Sequence, residues 1–280
     1  MPVLPSIALV GAHYAGSDRG LASDLLAARS CGAVGRAVAT AIVAASHGVV
    51  TDQTEVPVDT VRSQLEHLDA THDLAGAKIG VLATARTVEA VMTWAKRLSG
   101  PVVLDAVASG PSGETVLDAR GIDALSERLG VADLVTVSRR DAELFTGGEI
   151  ASLDDAQVAA QRFHNRGARA VVIRCGSLPY RFYDAADDPG GDGAPTTMSL
   201  DLAYDGSDFA LFEGPLVPGS SALGASSLFA ITALTSFMAG ATLDEALQSA
   251  KRRATDAHRD TRDSTSGPVF DFSSLAPRDP

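Results

Sequence analysis

Short apolar runs alternate with amphipathic stretches along the first two thirds of the chain. Ser6 to Gly11 is an apolar run closed by glycine and predicts a β-strand; 18–30 predicts a helix with Ser17 or Asp18 as N-cap. The same alternation continues, with strands predicted at 34–45, 78–82, 102–107, 134–137 and 170–174 and helices at 58–68, 87–98, 122–129 and 155–166. Near-continuous apolar strands separated by helices are typical of a parallel sheet covered on both faces.

The alternation of apolar runs and amphipathic stretches ends after Gly176. Residues 184–195 are rich in Asp, Gly and Pro and predict a solvated hairpin tip, flanked by alternating strands at 197–204 and 208–212. Two helices, predicted at 221–238 and 243–258, close the chain. We therefore predict a single α/β domain over residues 1–280, with a mostly parallel central sheet and helices on both faces.

Composition narrows the function classes. The formal net charge is −12, which disfavours nucleic acid, because a duplex binder needs excess Lys and Arg to neutralise phosphates. No charged residue occurs between Glu213 and Asp244, but prolines and glycines interrupt this stretch, so we interpret it as a buried helix and expect no membrane span. The two cysteines, Cys31 and Cys175, fit no zinc spacing or disulfide framework and indicate a reducing, cytoplasmic location.

Ligands of open α/β sheets bind outside the carboxyl ends of the strands. The residues predicted at those ends are Gly11, Ala45, Ala83, Asp105, Ser138 and Arg174. Asp105 ends an apolar strand and enters a glycine-rich loop, where a carboxylate either holds a metal or ligand hydroxyl or caps a turn.

A second locus is the glycine-rich segment 214–229, which leads into the long uncharged helix. Unpaired N–H groups at such a helix start form an anion site. The alternative is a tight turn whose small residues permit close helix packing. The chain has no G-x-x-x-x-G-K-[ST], no G-x-G-x-x-G and no G-x-S-x-G, and its histidines show no metal-ligand spacing.

The order of several segments resembles the phosphomethylpyrimidine kinases of the ribokinase-like superfamily over roughly residues 7–270. The similar segments are 20–26, 31–49, 77–83, 102–107 and 267–269. The resemblance implies a ribokinase-like three-layer fold and ATP-dependent phosphorylation of a hydroxymethyl group on a small pyrimidine or pyridoxal-like ring. It also implies Mg²⁺ and a homodimer.

The same resemblance assigns the site residues. The family's catalytic loop, Gly-Thr-Gly-Cys/Asp-Thr-Leu-Ser-Ala, falls on 222–229, where Gly224 is retained and Ala225 occupies the position of the catalytic Cys or Asp. The substrate is expected near Gly11 and Ala45, the magnesium near Asp105 and Asp141, and the nucleotide near Arg174, Gly176, Gly219 and Ser220, with Ser221 beside the lost base.

Alanine cannot accept a proton, and this leaves three hypotheses open. The chain is a kinase in which a neighbour such as Ser221 or Ser226 and a water replace the base, or a catalytically silent ligand-binding or regulatory protein on the same fold. The third hypothesis is a different enzyme that has reused the cleft.

Overall fold

The computed structural model describes residues 3–46, 49–178, 198–217, 224–264, 267–269 and 272. The strands are β1 Ser6–Ala15, β2 Val34–Ser46, β3 Val49–Glu55, β4 Leu74–Ile79, β5 Val102–Asp105, β6 Leu134–Ser138, β7 Val171–Gly176, β8 Met198–Tyr204, β9 Phe209–Pro215, β10 Arg262–Ser264 and β11 Gly267–Val269. The α-helices are α1 Leu21–Ser30, α2 Val58–Thr71, α3 Ala85–Ala95, α4 Ala119–Ser126, α5 Arg139–Thr146, α6 Leu153–Asn165, α7 Ala225–Met238 and α8 Leu243–Arg259. A 3₁₀ turn occupies Leu129–Val131.

Nine strands form one sheet in the order β3-β2-β1-β4-β5-β6-β7-β8-β9. The six strands from β2 to β7 are parallel, and β3, β8 and β9 add antiparallel edges. This confirms the predicted mostly parallel sheet. The parallel strands run in one direction, so their carboxyl ends meet along one edge.

Alternate residues of each central strand face opposite helical layers. Ile7 and Leu9 of β1 pack with α1, α7 and α8, whereas Ala8 and Val10 pack with the layer that contains α2 to α6. The period-2 alternation of strand side chains therefore builds two separate cores, one on each face of the sheet. A buried ion pair of 3.0 Å between Lys251 Nζ and Asp201 Oδ2 ties α8 to β8.

Several boundaries differ from the prediction. The strand predicted at 78–82 begins and ends earlier, as β4 Leu74–Ile79; the prediction placed it too late because small residues and Lys78 weaken the apolar pattern of this segment. Helix α1 starts after Gly20 rather than after Ser17 or Asp18. The prediction missed β3, a largely exposed polar edge strand, and α5, which follows β6 without a loop. It also missed the short pair β10–β11, while the hairpin tip at 184–195 lies outside the described residues.

The uncharged segment forms α7, whose first ten residues are mostly buried against the sheet. Among the residues that the structure describes, no helix combines the length and the apolarity needed to cross a membrane.

Candidate functional site

A cleft of about 290 Å³ lies at the carboxyl edge of the parallel sheet. Strand ends and the loops after them supply one wall, and the start of α7 supplies the other. The residues contributed by successive strands are Gly11 of β1, Gly80 after β4, Asp105 of β5, Ser138 of β6 and Arg174 of β7.

Helix α7 opens into this cleft. Its N-cap, Gly224, has φ 96° and ψ 0°, and no side chain of the described residues caps the helix. The N–H groups of Ala225, Ser226 and Ser227 precede the first intrahelical bond, which Leu228 donates to the Gly224 carbonyl. All three residues line the cleft, so the positive end of the helix is presented to whatever binds there.

Gly224 is required at this position for two reasons. Its positive φ is strained for residues with a side chain, and a Cβ would lie 3.0 Å from Ser23 Oγ and 3.2 Å from Phe272 Cζ. The glycine thus allows α7 to begin close against α1.

Arg174 connects the sheet to this helix start. Its Nη1 donates to Ser226 Oγ at 2.6 Å, and its Nη2 donates to Asp105 Oδ1 at 3.3 Å. Asp105 is buried and also accepts a 2.9 Å hydrogen bond from Thr136 Oγ1. The Arg174 Nε is buried without an acceptor among the described residues, which leaves one donor of the guanidinium unsatisfied.

Asp141 is held by hydrogen bonds from two loops. Its Oδ1 accepts from the backbone N–H groups of Ala108 at 3.1 Å and Ser109 at 2.8 Å and from Ser109 Oγ at 2.8 Å. Its Oδ2 accepts from Ser138 Oγ at 2.7 Å. Ser138 in turn caps α5 by accepting from the Asp141 N–H. Asp141 therefore fixes the loop after β5 to the start of α5.

A second ion pair lies on the floor of the cleft. Lys78 Nζ donates to Asp24 Oδ1 at 2.9 Å and to Oδ2 at 3.0 Å, and the two side chains are only 4% and 1% exposed. Gly80 leaves room for the ammonium group, since a Cβ there would lie 3.0 Å from Lys78 Nζ.

Arg19, Tyr14 and Arg140 line the outer part of the cleft. Burial raises the pKa of the Tyr14 phenol, so the hydroxyl stays protonated and can donate a hydrogen bond. Burial also lowers the pKa of Arg19, which nevertheless remains charged at neutral pH because a guanidinium is so strongly basic.

The cleft brings together six of the site residues that the family resemblance assigned: Gly11, Asp105, Asp141, Arg174, Gly224 and Ala225. Ser138, predicted at a strand end, and Ser226, named as a neighbour of the lost base, line it too. Ala45 does not line it: this residue pairs with Val50 near the end of β2, in the hairpin beyond the cleft. Gly176 is exposed at the end of β7 and does not line it either. Gly219, Ser220 and Ser221 lie outside the described residues.

Sequence reasoning missed Lys78, Asp24, Arg19 and Arg140. A lysine inside an otherwise apolar strand was a usable signal, because lysine is almost never fully buried unless it is paired. Arg19 and Arg140 carried no such signal, since each lies in a polar segment whose place in the fold decides what it faces.

The donor groups fit phosphate better than a preformed magnesium site. Asp105 is already paired with Arg174 and Asp141 accepts four hydrogen bonds; no cluster of three His, Cys, Asp or Glu occurs in the part of the chain that is described. Mg²⁺ takes one or two protein carboxylates together with substrate phosphates and water. The metal roles of Asp105 and Asp141 stay predictions.

An uncapped helix start at the carboxyl edge of a parallel sheet is the arrangement in which α/β proteins bind phosphate groups. Comparison with solved structures shows the fold. The chain superimposes on the ADP complex of Bacillus subtilis pyridoxal kinase with a TM-score of 0.81 at 22% identity, covering 98% of this chain and 99% of that one. Pyridoxal kinase from Staphylococcus aureus in complex with AMP-PCP and pyridoxal gives 0.81 at 23% identity, covering 97% and 94%. The ribokinase-like fold is confirmed.

The sequence comparisons define the family. The phosphomethylpyrimidine kinase family matches residues 15–269, and the chain belongs to it. The hydroxymethylpyrimidine/phosphomethylpyrimidine kinase of Aquifex aeolicus is 27% identical over 271 residues, which cover 94% of this chain and 100% of the relative. The protein of the same name from Mycobacterium tuberculosis (strain H37Rv) is 27% identical over 258 residues, covering 91% and 88%.

Proposed function

We propose that this protein transfers the γ-phosphoryl group of ATP to a hydroxymethyl group on a small pyrimidine or pyridoxal-like ring. The observation that carries the proposal is the pairing of two groups of donors that have no acceptor among the described residues: the N–H groups at the start of α7 and the buried Nε of Arg174, both in one cleft. Both are suited to phosphate oxygens, because an anion satisfies the helix N–H groups and the guanidinium together. The choice of a pyrimidine or pyridoxal-like ring follows from the relatives, which are hydroxymethylpyrimidine/phosphomethylpyrimidine kinases and pyridoxal kinases.

In this reaction the substrate hydroxyl oxygen bonds to the γ-phosphorus while the bond to the β–γ bridging oxygen breaks and ADP leaves. Charge accumulates on the oxygens of the transferred group, and positioning and electrostatics provide most of the catalysis. Arg174 and the α7 N–H groups are the residues that would bind this charge. Lys78 is already neutralised by Asp24 and contributes shape to the cleft floor.

The hydroxyl proton has no side-chain acceptor at the family's usual position, because Ala225 stands there. We assign the proton to water in the cleft. A positioned base typically contributes about 10²–10⁴ in rate, so turnover by this protein is expected to be slower by roughly that factor than with the base present.

Ala225 also favours a second candidate, a catalytically silent protein that binds the same ligands. Two variants separate the candidates. Ala225→Asp supplies a carboxylate, and Ala225→Asn supplies the same volume without a proton acceptor. ADP release is measured with ATP, Mg²⁺ and a panel of hydroxymethyl pyrimidines and pyridoxal.

The kinase proposal predicts slow turnover by the original protein and a clear gain for Ala225→Asp but not for Ala225→Asn. Calorimetric titration with a non-hydrolysable ATP analogue accompanies the assay. Binding of the analogue without turnover by any of the three proteins supports the silent candidate, and the absence of analogue binding contradicts both.

The proposal also includes a cytoplasmic location and a homodimer. Both described cysteines are free, which suits a reducing compartment. Light scattering of the purified protein tests the dimer, with the 28.8 kDa mass of the chain as the monomer reference.

A further inference from the structure

The cleft contains an arginine that makes no ion pair with any described residue. Arg19 follows β1, lines the cleft beside Tyr14 and is half-buried. Among the described residues, no carboxylate oxygen lies within ion-pair distance of its guanidinium. Burial lowers the pKa of Arg19 more than the attraction of Tyr14 and Glu114 raises it, so the charge is only partly compensated and an anionic ligand at this position relieves a cost already present in the protein.

The other charges around the cleft already have partners. Asp24 pairs with Lys78, and Asp105 pairs with Arg174. Asp141 is saturated by hydrogen bonds, and the nearby Glu114 accepts from the backbone N–H groups of Val50 at 2.8 Å and Ser112 at 3.0 Å.

The described side chains that line the cleft comprise four cations and three carboxylates, although the whole chain carries a net charge of −12. The excess of positive charge falls on Arg19 and on Arg140, which share the attraction of Glu114 beside the cleft. Arg140 makes one long hydrogen bond, 3.4 Å, to the Pro111 carbonyl.

Arg19 lies on the opposite side of the cleft from Arg174. Arg19 follows β1 and Arg174 belongs to β7, and three strands, β4, β5 and β6, lie between them. At about 4.8 Å per strand, the two strand lines are roughly 19 Å apart. The two arginines therefore enter the cleft from opposite sides, which favours different anionic groups for Arg19 and for Arg174.

We propose that Arg19, assisted by Arg140 and the Tyr14 hydroxyl, binds an anionic substituent on the ring substrate, such as a carboxylate or a phosphate ester. The inference deepens the proposed function and rests on it, because it assigns the ring to this cleft. The preferred substrate is then an anionic ring that keeps a free hydroxymethyl group for phosphorylation. A neutral ring of the same size binds more weakly.

Pyridoxine and 4-pyridoxic acid form a matched pair of probes. They share the ring and the 5-hydroxymethyl group and differ at C4, where the acid carries a carboxylate. Calorimetric titration of the full chain with each, in the presence of an ATP analogue, is expected to show about tenfold tighter binding of the acid, the size of one good charge-assisted hydrogen bond. Arg19→Gln should abolish this preference.

Arg29 supplies the control, because it is exposed on α1 and Arg29→Gln makes the same change in net charge. This control is expected to keep the preference for the acid. A preference for the acid that survives in Arg19→Gln, or the lack of any preference in the original protein, overturns the inference.

The ATP analogue distinguishes the two sources of an anion. If Arg19→Gln lowers the affinity for the ATP analogue and leaves the ratio of the affinities for the two ring compounds unchanged, Arg19 binds the nucleotide and the inference is wrong. Analogue binding by the original protein without a preference between the rings overturns the inference while the proposed function stands. No binding of analogue or ring overturns both.

Discussion

Replacing Lys78 by methionine should destabilise the protein strongly, because it leaves Asp24 buried without its partner. The ammonium group donates to both carboxylate oxygens, at 2.9 and 3.0 Å, and neither side chain is more than 4% exposed. At an effective dielectric constant of about 20, the gross attraction at this distance is roughly 6 kcal/mol. Breaking such a buried pair from one side costs about 3–5 kcal/mol.

Thermal and urea denaturation of Lys78→Met, Asp24→Asn and the double variant measure this cost. At roughly 2–4 °C per kcal/mol for chains somewhat shorter than this one, the single variants should lose about 10 °C in Tm. The double variant should be less destabilised than the sum of the single variants by at least about 1 kcal/mol, since no unpaired charge remains in it.

If Lys78→Met lowers the free energy of unfolding by less than about 1 kcal/mol, or if the two single effects simply add, the pair is not the buried, mutually dependent contact described above. Lys96→Met, at an exposed lysine next to α3, is the matched control and should leave Tm nearly unchanged.

Three further predictions concern single residues. Arg174→Ala should lower the affinity for an ATP analogue by roughly 10–100-fold in calorimetry, because charge-assisted hydrogen bonds to phosphate are lost. An unchanged affinity contradicts the proposal that Arg174 binds phosphate. Gly224→Ala should lower stability by about 1–3 kcal/mol in urea denaturation, as its φ of 96° is strained with a side chain, and a stability equal to the original would refute that strain. Burial, with a smaller contribution from Lys251, lowers the pKa of His258 below its ordinary 6.5. The unfolded chain then binds more protons, so stability is lost as the pH falls below about 6.5; His258→Gln should reduce this loss, and an identical pH profile of Tm contradicts it.

The positions of most elements could be predicted from local pattern alone. The strand at 134–137 and the helix at 243–258 match β6 and α8 within one residue, because each combines a clear apolar period with recognisable end signals. The Thr242 capping box of α8 is an example, with Thr242 and Glu245 each bonding the backbone of the other.

Local pattern failed where pairing in space, rather than apolarity, makes the element. Strand β3 is mostly polar and exists because it pairs with the long β2. Strand β4 begins at Leu74 because the register with β1 pairs that residue with Ser6, although the apolar pattern of the segment indicates a strand only weakly. Contacts of this kind lie outside any local window.

The residues of the candidate site also fall into those that local sequence could predict and those that it could not. Asp105, Arg174 and Gly224 could be found from sequence, because the end of a parallel strand and the start of a helix are positions where backbone geometry alone exposes a side chain or an N–H group to a ligand. The missing catalytic base at Ala225 could also be inferred from sequence, because an alanine side chain has no group that accepts a proton.

Only the tertiary structure decided which charges are neutralised. Lys78 and Asp24 are 54 residues apart and Asp105 and Arg174 are 69 apart, yet each pair is in contact, whereas Arg19 has no carboxylate within ion-pair distance among the described residues. Sequence fixes how many charges a chain carries and which strand ends they follow. Whether a given charge is paired depends on distances of a few ångströms between distant segments, and those distances exist only once the two helical layers have closed on the sheet.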